Sequence, residues 1–360
     1  MSGARILVMA GGTGGHVFPG LAVAKLLRQQ GHEVRWLGTA TGLEARLVPA
    51  ANITLHTLPV SGLRGKGLMS WLLAPWKLGV AMWAALGLLW RLKPRAVLGL
   101  GGFASGPGGL VAAALGYPLV IHEQNAIAGM TNRWLAKRAD LVLQAFPGTF
   151  APALEPVTVG NPVRTEIADL PAPEQRYAQR SGPLQILVVG GSLGALALNT
   201  IVPQALAQLP ADTFVVCHQA GERTLAQAQQ AYTEAGVVAE VTAFIEDMAA
   251  AYAGADVVIC RAGALTVSEL AAAGVASILV PFPHAVDDHQ TANAAYLTDV
   301  DAALLLPQSE LSAERLAETL KSLDRDRLQA MAVQARQQAK VDATEQVARA
   351  CQMLAEGGGA

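Results

Sequence analysis

Six short stretches of this chain combine residue types and spacings that could handle an anionic or sugar ligand. The first is Ala10-Gly11-Gly12-Thr13-Gly14-Gly15-His16, which follows the apolar run Arg5 to Met9 and precedes a helical pattern from Val17 to Gln30. Glycines at Gly14 and Gly15 let backbone N–H groups approach a ligand, and a helix start adds partial positive charge. His16 stands where that helix begins. A helix N-terminus disfavours imidazolium, so the residue reads as a neutral proton acceptor; capping a turn is the plainer alternative. The second stretch, Gly99 to Gly109 (GLGGFASGPGG), is another glycine-rich strand end. The third is His122-Glu123-Gln124-Asn125, four polar side chains read as pointing into the crevice outside an apolar strand. Structural burial of one or two of them is the alternative.

The fourth stretch, Gly190-Gly191-Ser192-Leu193-Gly194-Ala195, repeats the first device after the run Leu184 to Val189. In the fifth, Cys260 to Glu269, a strand ends, Gly263 turns the chain, and a helix starts near Leu265. The N–H groups of Ala264 to Thr266 would face a phosphate there, and Glu269, one turn in, could accept both hydroxyls of a ribose. The sixth, Val280 to Asn293, is rich in sugar-type hydrogen-bonding groups such as Asp288, Gln290 and Asn293. A metal site at His284, Asp287 and His289 is the weaker reading, because no second ligand cluster supports it. The DxD patterns at Asp299-Val300-Asp301 and Asp324-Arg325-Asp326 are not beside a glycine loop and read as chance. No metal and no cofactor is expected.

The elements that must position these residues alternate. Strands are read at 5–9, 33–38, 53–58, 96–100, 118–122 and 140–144, with helices at 17–30, 41–47, 71–92, 106–115 and 128–138. The second half gives strands at 184–190, 213–218, 239–244, 256–260, 276–280 and 302–306, and helices at 196–209, 222–235, 247–253, 265–273, 289–298 and 312–323. Alternation at this spacing predicts parallel sheets with helices on both faces. The predicted fold class is therefore α/β, with two Rossmann-like, doubly wound domains and a cleft between them. The N-terminal domain covers 1–160, completed by a C-terminal helix near 341–356; a proline-containing linker covers 161–182, and the C-terminal domain covers 183–340. The first loop is not a dinucleotide fingerprint. Val17 stands where a third glycine belongs, and the second strand ends Trp36-Leu37-Gly38-Thr39 without an acid, which disfavours an NAD-dependent dehydrogenase.

At 360 residues the chain is long enough for two domains. A net charge of −2 gives no nucleic-acid surface. Apolar residues make up 52% and charged residues 15%, and buried parallel strands account for part of that. Three scattered cysteines form no disulfide framework and suit a reducing compartment. The first apolar stretch runs straight into the glycine loop and does not read as a signal peptide. The segment Trp71 to Lys93 (WLLAPWKLGVAMWAALGLLWRLK) has an uninterrupted apolar core, Leu78 to Trp90, shorter than the roughly 20 residues a spanning helix needs. It reads either as an ordinary crossover helix or as one whose outer face touches lipid. Trp76, Lys77, Val80 and Trp83, with Trp71, Trp90, Arg91, Lys93 and Arg95 nearby, suit an anionic membrane surface.

Taken in order, GGTGGHVFPG, SGLRGKG (61–67), GGFASGPGG, HEQNAIAG (122–129), GNPVR (160–164), GGSLGA, RAGALTVSE and VPFPHAVDDHQTANA resemble the MurG family of bacterial peptidoglycan glycosyltransferases. Single glycine loops are weak signals, but eight motifs in sequence, running from residue 10 to beyond 290, are specific. The resemblance implies a GT-B fold and metal-free, inverting transfer of N-acetylglucosamine from UDP-GlcNAc to lipid I (undecaprenyl-diphospho-N-acetylmuramoyl-pentapeptide), giving lipid II. It implies a peripheral enzyme on the cytoplasmic face of the inner membrane, with the acceptor on the N-terminal domain and the donor on the C-terminal one. Carried over by motif, Thr13, Gly14 and Gly15 are donor-site loop positions and His16 is the catalytic base. Asn125, a second catalytic candidate, and Ser192 contact the donor near its reacting end. Arg164 and Ile245 lie at the uridine, with Phe244 beside them. Ala264, Leu265, Thr266, Val267 and Ser268 meet the phosphates, Glu269 the ribose and Gln290 the sugar. Leu193 departs from the family, which usually has a polar residue there. Other readings stay open at this point: a membrane glycolipid glycosyltransferase or UDP-GlcNAc 2-epimerase of the same fold, a non-catalytic nucleotide-sugar-binding subunit, and His122 or Asn125 as the base.

Overall fold

A computed structural model describes residues 3–60, 74–191, 194–283 and 288–357. Four readings fall wholly or partly outside them: SGLRGKG, Trp71, the Ser192-Leu193 pair, and the ligands His284 and Asp287. The chain divides into two units, Met1–Pro162 with Val341–Ala360, and Val163–Lys340.

The first unit alternates β1 (Arg5–Ala10), α1 (Gly14–Gln29), β2 (Glu33–Gly38), α2 (Glu44–Ala50), β3 (Thr54–Thr57), α3 (Ala74–Leu92), β4 (Ala96–Gly101), α4 (Ser105–Ala114), β5 (Leu119–Glu123), α5 (Met130–Leu135), β6 (Leu141–Gln144) and β7 (Val157–Thr158). Its sheet is parallel throughout, in the order β3-β2-β1-β4-β5-β6-β7. Alternate residues of β1 feed two cores. Ile6, Val8 and Ala10 pack with α1, while Leu7 and Met9 pack with residues of α3 and α4 on the other face. Both faces are buried, which is why the strand is a continuous apolar run rather than an alternating one.

The second unit contains α6 (Thr165–Ala168), α7 (Pro173–Tyr177), β8 (Leu184–Val189), α8 (Leu196–Leu206), β9 (Phe214–Gln219), α9 (Leu225–Ala235), β10 (Glu240–Thr242), α10 (Met248–Gly254), β11 (Val257–Cys260), α11 (Ala264–Ala273), β12 (Ala276–Leu279), α12 (His289–Thr298), β13 (Ala303–Leu305), α13 (Ala313–Lys321) and α14 (Arg325–Gln337). Its parallel sheet repeats the topology as β10-β9-β8-β11-β12-β13.

One sequence reading changes. Residues 161–182, read as a linker, hold α6 and α7 within the second unit. Tyr177 is buried there and donates its hydroxyl to the Asp256 carbonyl at 2.8 Å. Pro173 opens α7 at a first-turn position, where proline costs nothing. The C-terminal helix read near 341–356 is α15 (Ala343–Ala355). Val347, Ala348, Cys351 and Leu354 of α15 join the core around Ile6 and Val8 in the first unit. Burying the larger of these side chains, Val347 and Leu354, contributes about 1.5–3 kcal/mol each.

Candidate active site

In the first unit the strand order reverses between β1 and β4, so the loops leaving their carboxyl ends lie side by side. A glycine pair permits this. Gly102, at φ +89, would place a Cβ 2.3 Å from the Gly11 carbonyl oxygen. Gly101, at φ +103, would place one 3.0 Å from Cε1 of His16. Thr13 caps α1, which makes His16 the third residue of that helix. The imidazole Nδ1 lies 2.6 Å from Oε1 of Gln124. Behind it, Gln124 Nε2 lies 3.0 Å from Nδ1 of His122 and 2.9 Å from the His122 carbonyl. His122 Nε2 lies 2.9 Å from the Gly160 carbonyl, and Asn161 donates to the Gln124 carbonyl at 3.0 Å.

The HEQN stretch is therefore not four side chains aimed at a crevice. His122, Glu123 and Gln124 are buried, and only Asn125 is half-buried. The reason is that each buried group has inward partners. Glu123 accepts from the Asn125 amide N–H (3.0 Å), Asn125 Nδ2 (3.2 Å), the Gly129 N–H (3.1 Å) and Asn132 Nδ2 (2.9 Å), so it fastens the loop and orients Asn125. Burial pushes the His122 imidazole below its ordinary range despite the Gly160 carbonyl. With both ring nitrogens engaged and no exposure, His122 drops out as the base.

Sequence reasoning missed Glu44. No acid ends β2, but Glu44 lies five residues beyond Thr39 and is fully buried. It accepts from the Gly12 N–H at 3.0 Å and from the N–H and hydroxyl of Thr39 at 2.8 and 2.7 Å. Burial opposes the charged form, but the bonds from Thr39 and Gly12 outweigh it and hold the carboxyl below its ordinary range. No local motif marks it, because Gly12 is 32 residues away in sequence.

The second unit has its own switch point, between β8 and β11. Gln219 pins the glycine loop there: Oε1 accepts from the Gly191 N–H at 2.9 Å, and Nε2 donates to the Gly191 and Ala243 carbonyls at 3.1 and 2.9 Å. That second bond anchors the turn carrying Phe244, which is exposed, and Ile245, which is half-buried. After β11, Gly263 precedes α11 in extended geometry, so Ala264 to Thr266 form its first turn, at the positive end of the helix dipole. Val267 points into the core. Glu269 lies one turn in. Its Oε1 accepts from Arg164 Nε and Nη2 at 3.1 and 2.9 Å, and its Oε2 from the Tyr252 hydroxyl at 3.3 Å. Burial raises its carboxyl above the ordinary range, with Arg164 opposing. Arg164, Glu269 and Tyr252 thus form one cluster beside the α11 start, in an arrangement able to receive a charged or hydroxyl-bearing ligand.

Gln290 Oε1 accepts from the Phe282 N–H at 2.9 Å, which ties α12 to the preceding turn. Arg261, which sequence reasoning assigned no role, braces that turn. It donates to the Val280 and Pro281 carbonyls at 3.1 and 3.2 Å and to Gln308 at 2.6 Å, with its guanidinium 5.5 Å from the Phe282 ring centre. Among the described residues no group of three or more His, Cys, Asp or Glu could hold a metal. The second DxD pattern is structural: Asp324 caps α14 by accepting the Arg327 N–H at 2.8 Å.

Helix α3 has two faces. Ala81, Ala85, Leu88, Leu89 and Leu92 are buried, at helical spacing, while Trp76, Trp83 and Trp90 are 74%, 75% and 66% exposed and Val80 is also exposed. Lys77 and Arg91 are exposed on the same helix. No helix among the described residues is long and apolar enough to cross a membrane.

Comparison with known proteins agrees across the chain. Residues 6–144 match the glycosyltransferase family 28 N-terminal domain and residues 185–347 match the glycosyltransferase family 28 C-terminal domain. A UDP-N-acetylglucosamine–N-acetylmuramyl-(pentapeptide) pyrophosphoryl-undecaprenol N-acetylglucosamine transferase from Nitrosomonas europaea is 57% identical, covering 97% of this chain and 98% of its own. The protein of the same description from Alkalilimnicola ehrlichii is 60% identical, covering 96% of this chain and 98% of its own. The crystal structure of Acinetobacter baumannii MurG matches with a TM-score of 0.87 at 45% identity, covering 97% of this chain and 99% of that one. The fold is GT-B.

Proposed function

The chain belongs to glycosyltransferase family 28, and from that premise we propose that it transfers N-acetylglucosamine from UDP-GlcNAc to the muramyl 4-hydroxyl of lipid I, forming the β-1,4-linked disaccharide of lipid II in peptidoglycan synthesis. The observation that carries the reading is the start of α11, where first-turn amides and the Glu269 carboxylate are presented together. A nucleoside diphosphate needs both: N–H groups for the phosphates and a carboxylate for the ribose hydroxyls. Arg164, with Phe244 and Ile245, serves the uridine end, Ala264 to Ser268 the diphosphate and Gln290 the sugar. Ser192 belongs to the same set but lies outside the described residues.

Transfer is a single displacement with inversion. The acceptor oxygen attacks the anomeric carbon, the bond from that carbon to the β-phosphate oxygen breaks, and the hydroxyl proton passes to His16. The leaving UDP carries its charge to the first turn of α11, whose dipole and amides stabilise it. Thr13, Gly14, Gly15 and Asn125 orient the reacting sugars around His16, Asn125 being held by Glu123. The outer face of α3 supplies the remaining requirement, because the acceptor's lipid tail stays in a bilayer. Trp76, Val80 and Trp83 enter the headgroup layer and Lys77 meets anionic headgroups, giving reversible, peripheral attachment at the cytoplasmic face.

The test is incubation with UDP-GlcNAc and a lipid I analogue, following UDP release together with the disaccharide product. UDP release without the disaccharide would exclude this acceptor, and disaccharide retaining the donor's α configuration would exclude single displacement.

A further inference from the structure

We infer that Gln124 is a positioning residue that holds His16 in the tautomer with its proton on Nδ1, and that His122 and the Gly160 carbonyl fix Gln124 for that task. The inference rests on the reading of His16 as the base, but the tautomer itself can be measured without turnover.

The argument starts from the group that has no choice. A backbone carbonyl only accepts, so His122 Nε2, 2.9 Å from the Gly160 oxygen, carries the hydrogen. His122 is fully buried and neutral, so its Nδ1 has a lone pair, and that nitrogen accepts from Gln124 Nε2 at 3.0 Å. The same amide nitrogen also donates to the His122 carbonyl at 2.9 Å. These two acceptors decide which way the Gln124 amide faces. Turning it over would set Oε1 against the His122 carbonyl oxygen, two acceptors in contact. Oε1 therefore points at His16, 2.6 Å from Nδ1. An amide oxygen only accepts, so Nδ1 of His16 carries the hydrogen and the lone pair is left on Nε2.

Two further hydrogen bonds brace this chain of contacts. Asn161 donates to the Gln124 carbonyl at 3.0 Å. Asn132 donates to the His122 carbonyl at 3.2 Å. Without the Gln124 oxygen an imidazole prefers its proton on Nε2, and a base so protonated has no lone pair on the nitrogen that meets the acceptor hydroxyl. Groups of this kind, which orient an imidazole through its other nitrogen, typically matter by 10- to 100-fold.

The experiment uses the full chain labelled with ¹⁵N-histidine, with His16 assigned by comparison with the His16→Gln variant, at a pH where imidazole is neutral. The wild type is expected to show Nδ1 protonated and Nε2 bare. Gln124→Met, which keeps length and removes the acceptor, is expected to move the proton to Nε2 and lower kcat about tenfold or more, with the donor KM within about twofold. Gln124→Glu keeps an acceptor toward His16 but sets its second oxygen against the His122 carbonyl and Nδ1 that the Gln124 Nε2 serves, so it is expected to keep the Nδ1–H tautomer without recovering the wild-type kcat. A wild-type His16 protonated on Nε2 would overturn the inference with no variant needed. An unchanged tautomer in folded Gln124→Met would overturn it too. A tautomer that moves while kcat stays would uphold the positioning by Gln124 and instead refute His16 as the base.

Discussion

Glu269→Ala is the perturbation whose size the structure constrains best. In the free protein the carboxylate is not idle: Oε1 takes two N–H groups of Arg164 and Oε2 takes the Tyr252 hydroxyl. A ribose must therefore share or displace these partners. Two hydroxyl-to-carboxylate bonds contribute about 1.5–3 kcal/mol each. Against this stands the Arg164 pair, whose guanidinium side chain is 49% exposed, so giving it up costs no more than about 1 kcal/mol. Water entering the truncated site recovers part of the rest. The net loss is about 1.4–3 kcal/mol, a tenfold to roughly hundredfold weaker affinity for UDP-GlcNAc. The assay is titration calorimetry with UDP and 2′-deoxy-UDP, supported by donor KM from UDP release. Wild type should prefer the ribo ligand strongly, and the variant should lose most of that preference. A pH series adds a second check. Burial raises the Glu269 carboxyl, so on acidification the wild type should lose donor affinity above the usual carboxylate range, as the group protonates. The alanine variant should lack that limb. Equal ribo and deoxyribo discrimination in wild type and variant would remove Glu269 from the ribose.

His16→Ala should lower kcat by roughly 10² or more while UDP affinity changes little; a near-normal kcat with a raised KM would make His16 a binding residue instead. Glu44→Gln should destabilise the fold by about 1.5–3 kcal/mol at neutral pH, measured by urea unfolding, since it removes a charged acceptor from Gly12 and Thr39. The carboxyl is lowered in the fold, so its contribution is present above the unfolded-state value and fades as pH falls through the folded one; a gap between wild type and variant that widened in acid would contradict this. Replacing Trp76, Val80 and Trp83 by serine and Lys77 by glutamate should reduce co-sedimentation with anionic liposomes and leave turnover of a short-chain, water-soluble acceptor in place. Equal sedimentation of wild type and variant, both folded, would make the face a packing surface only.

What the sequence reveals follows from what is local. Buried parallel strands are uninterrupted apolar runs, so β1, β4, β8 and β11 can be read directly, and the glycine loops at their ends mark the switch points. The start of α11 is legible for the same reason: strand, glycine and helix are contiguous. What cannot be read is whatever depends on distant partners. Glu44 meets Gly12 across 32 residues, and Gln124 meets His16 across 108. The HEQN stretch misleads because polar residues after a strand suggest a crevice, whereas here three of the four are satisfied inward. The prolines of 161–182 suggest a linker, yet Pro173 starts a helix whose Tyr177 is buried against the second unit's own backbone.

The two glycine loops are near repeats in sequence, but the side chains beneath them differ in charge, and that difference bears on which loop takes a phosphate. Beneath the first, the Glu44 carboxylate occupies the Gly12 N–H. A fixed negative charge there offsets part of the positive field at the start of α1. A like charge about 5 Å away costs about 3 kcal/mol at an effective dielectric of 20, more than a helix N-terminus returns. Beneath the second, the Gly191 N–H is held by the neutral amide of Gln219. The first loop is thus suited to hold a hydroxyl beside the His16 imidazole, and the second unit to take the diphosphate. We propose that a division of labour between two units of one topology rests on a carboxylate in one place and an amide in the other. Exchanging the charge, with Glu44→Gln and Gln219→Glu made separately, tests it: the second variant should weaken UDP affinity by tenfold or more, and the first should leave UDP affinity within about twofold. The reverse order of effects would show that the first loop carries the phosphates.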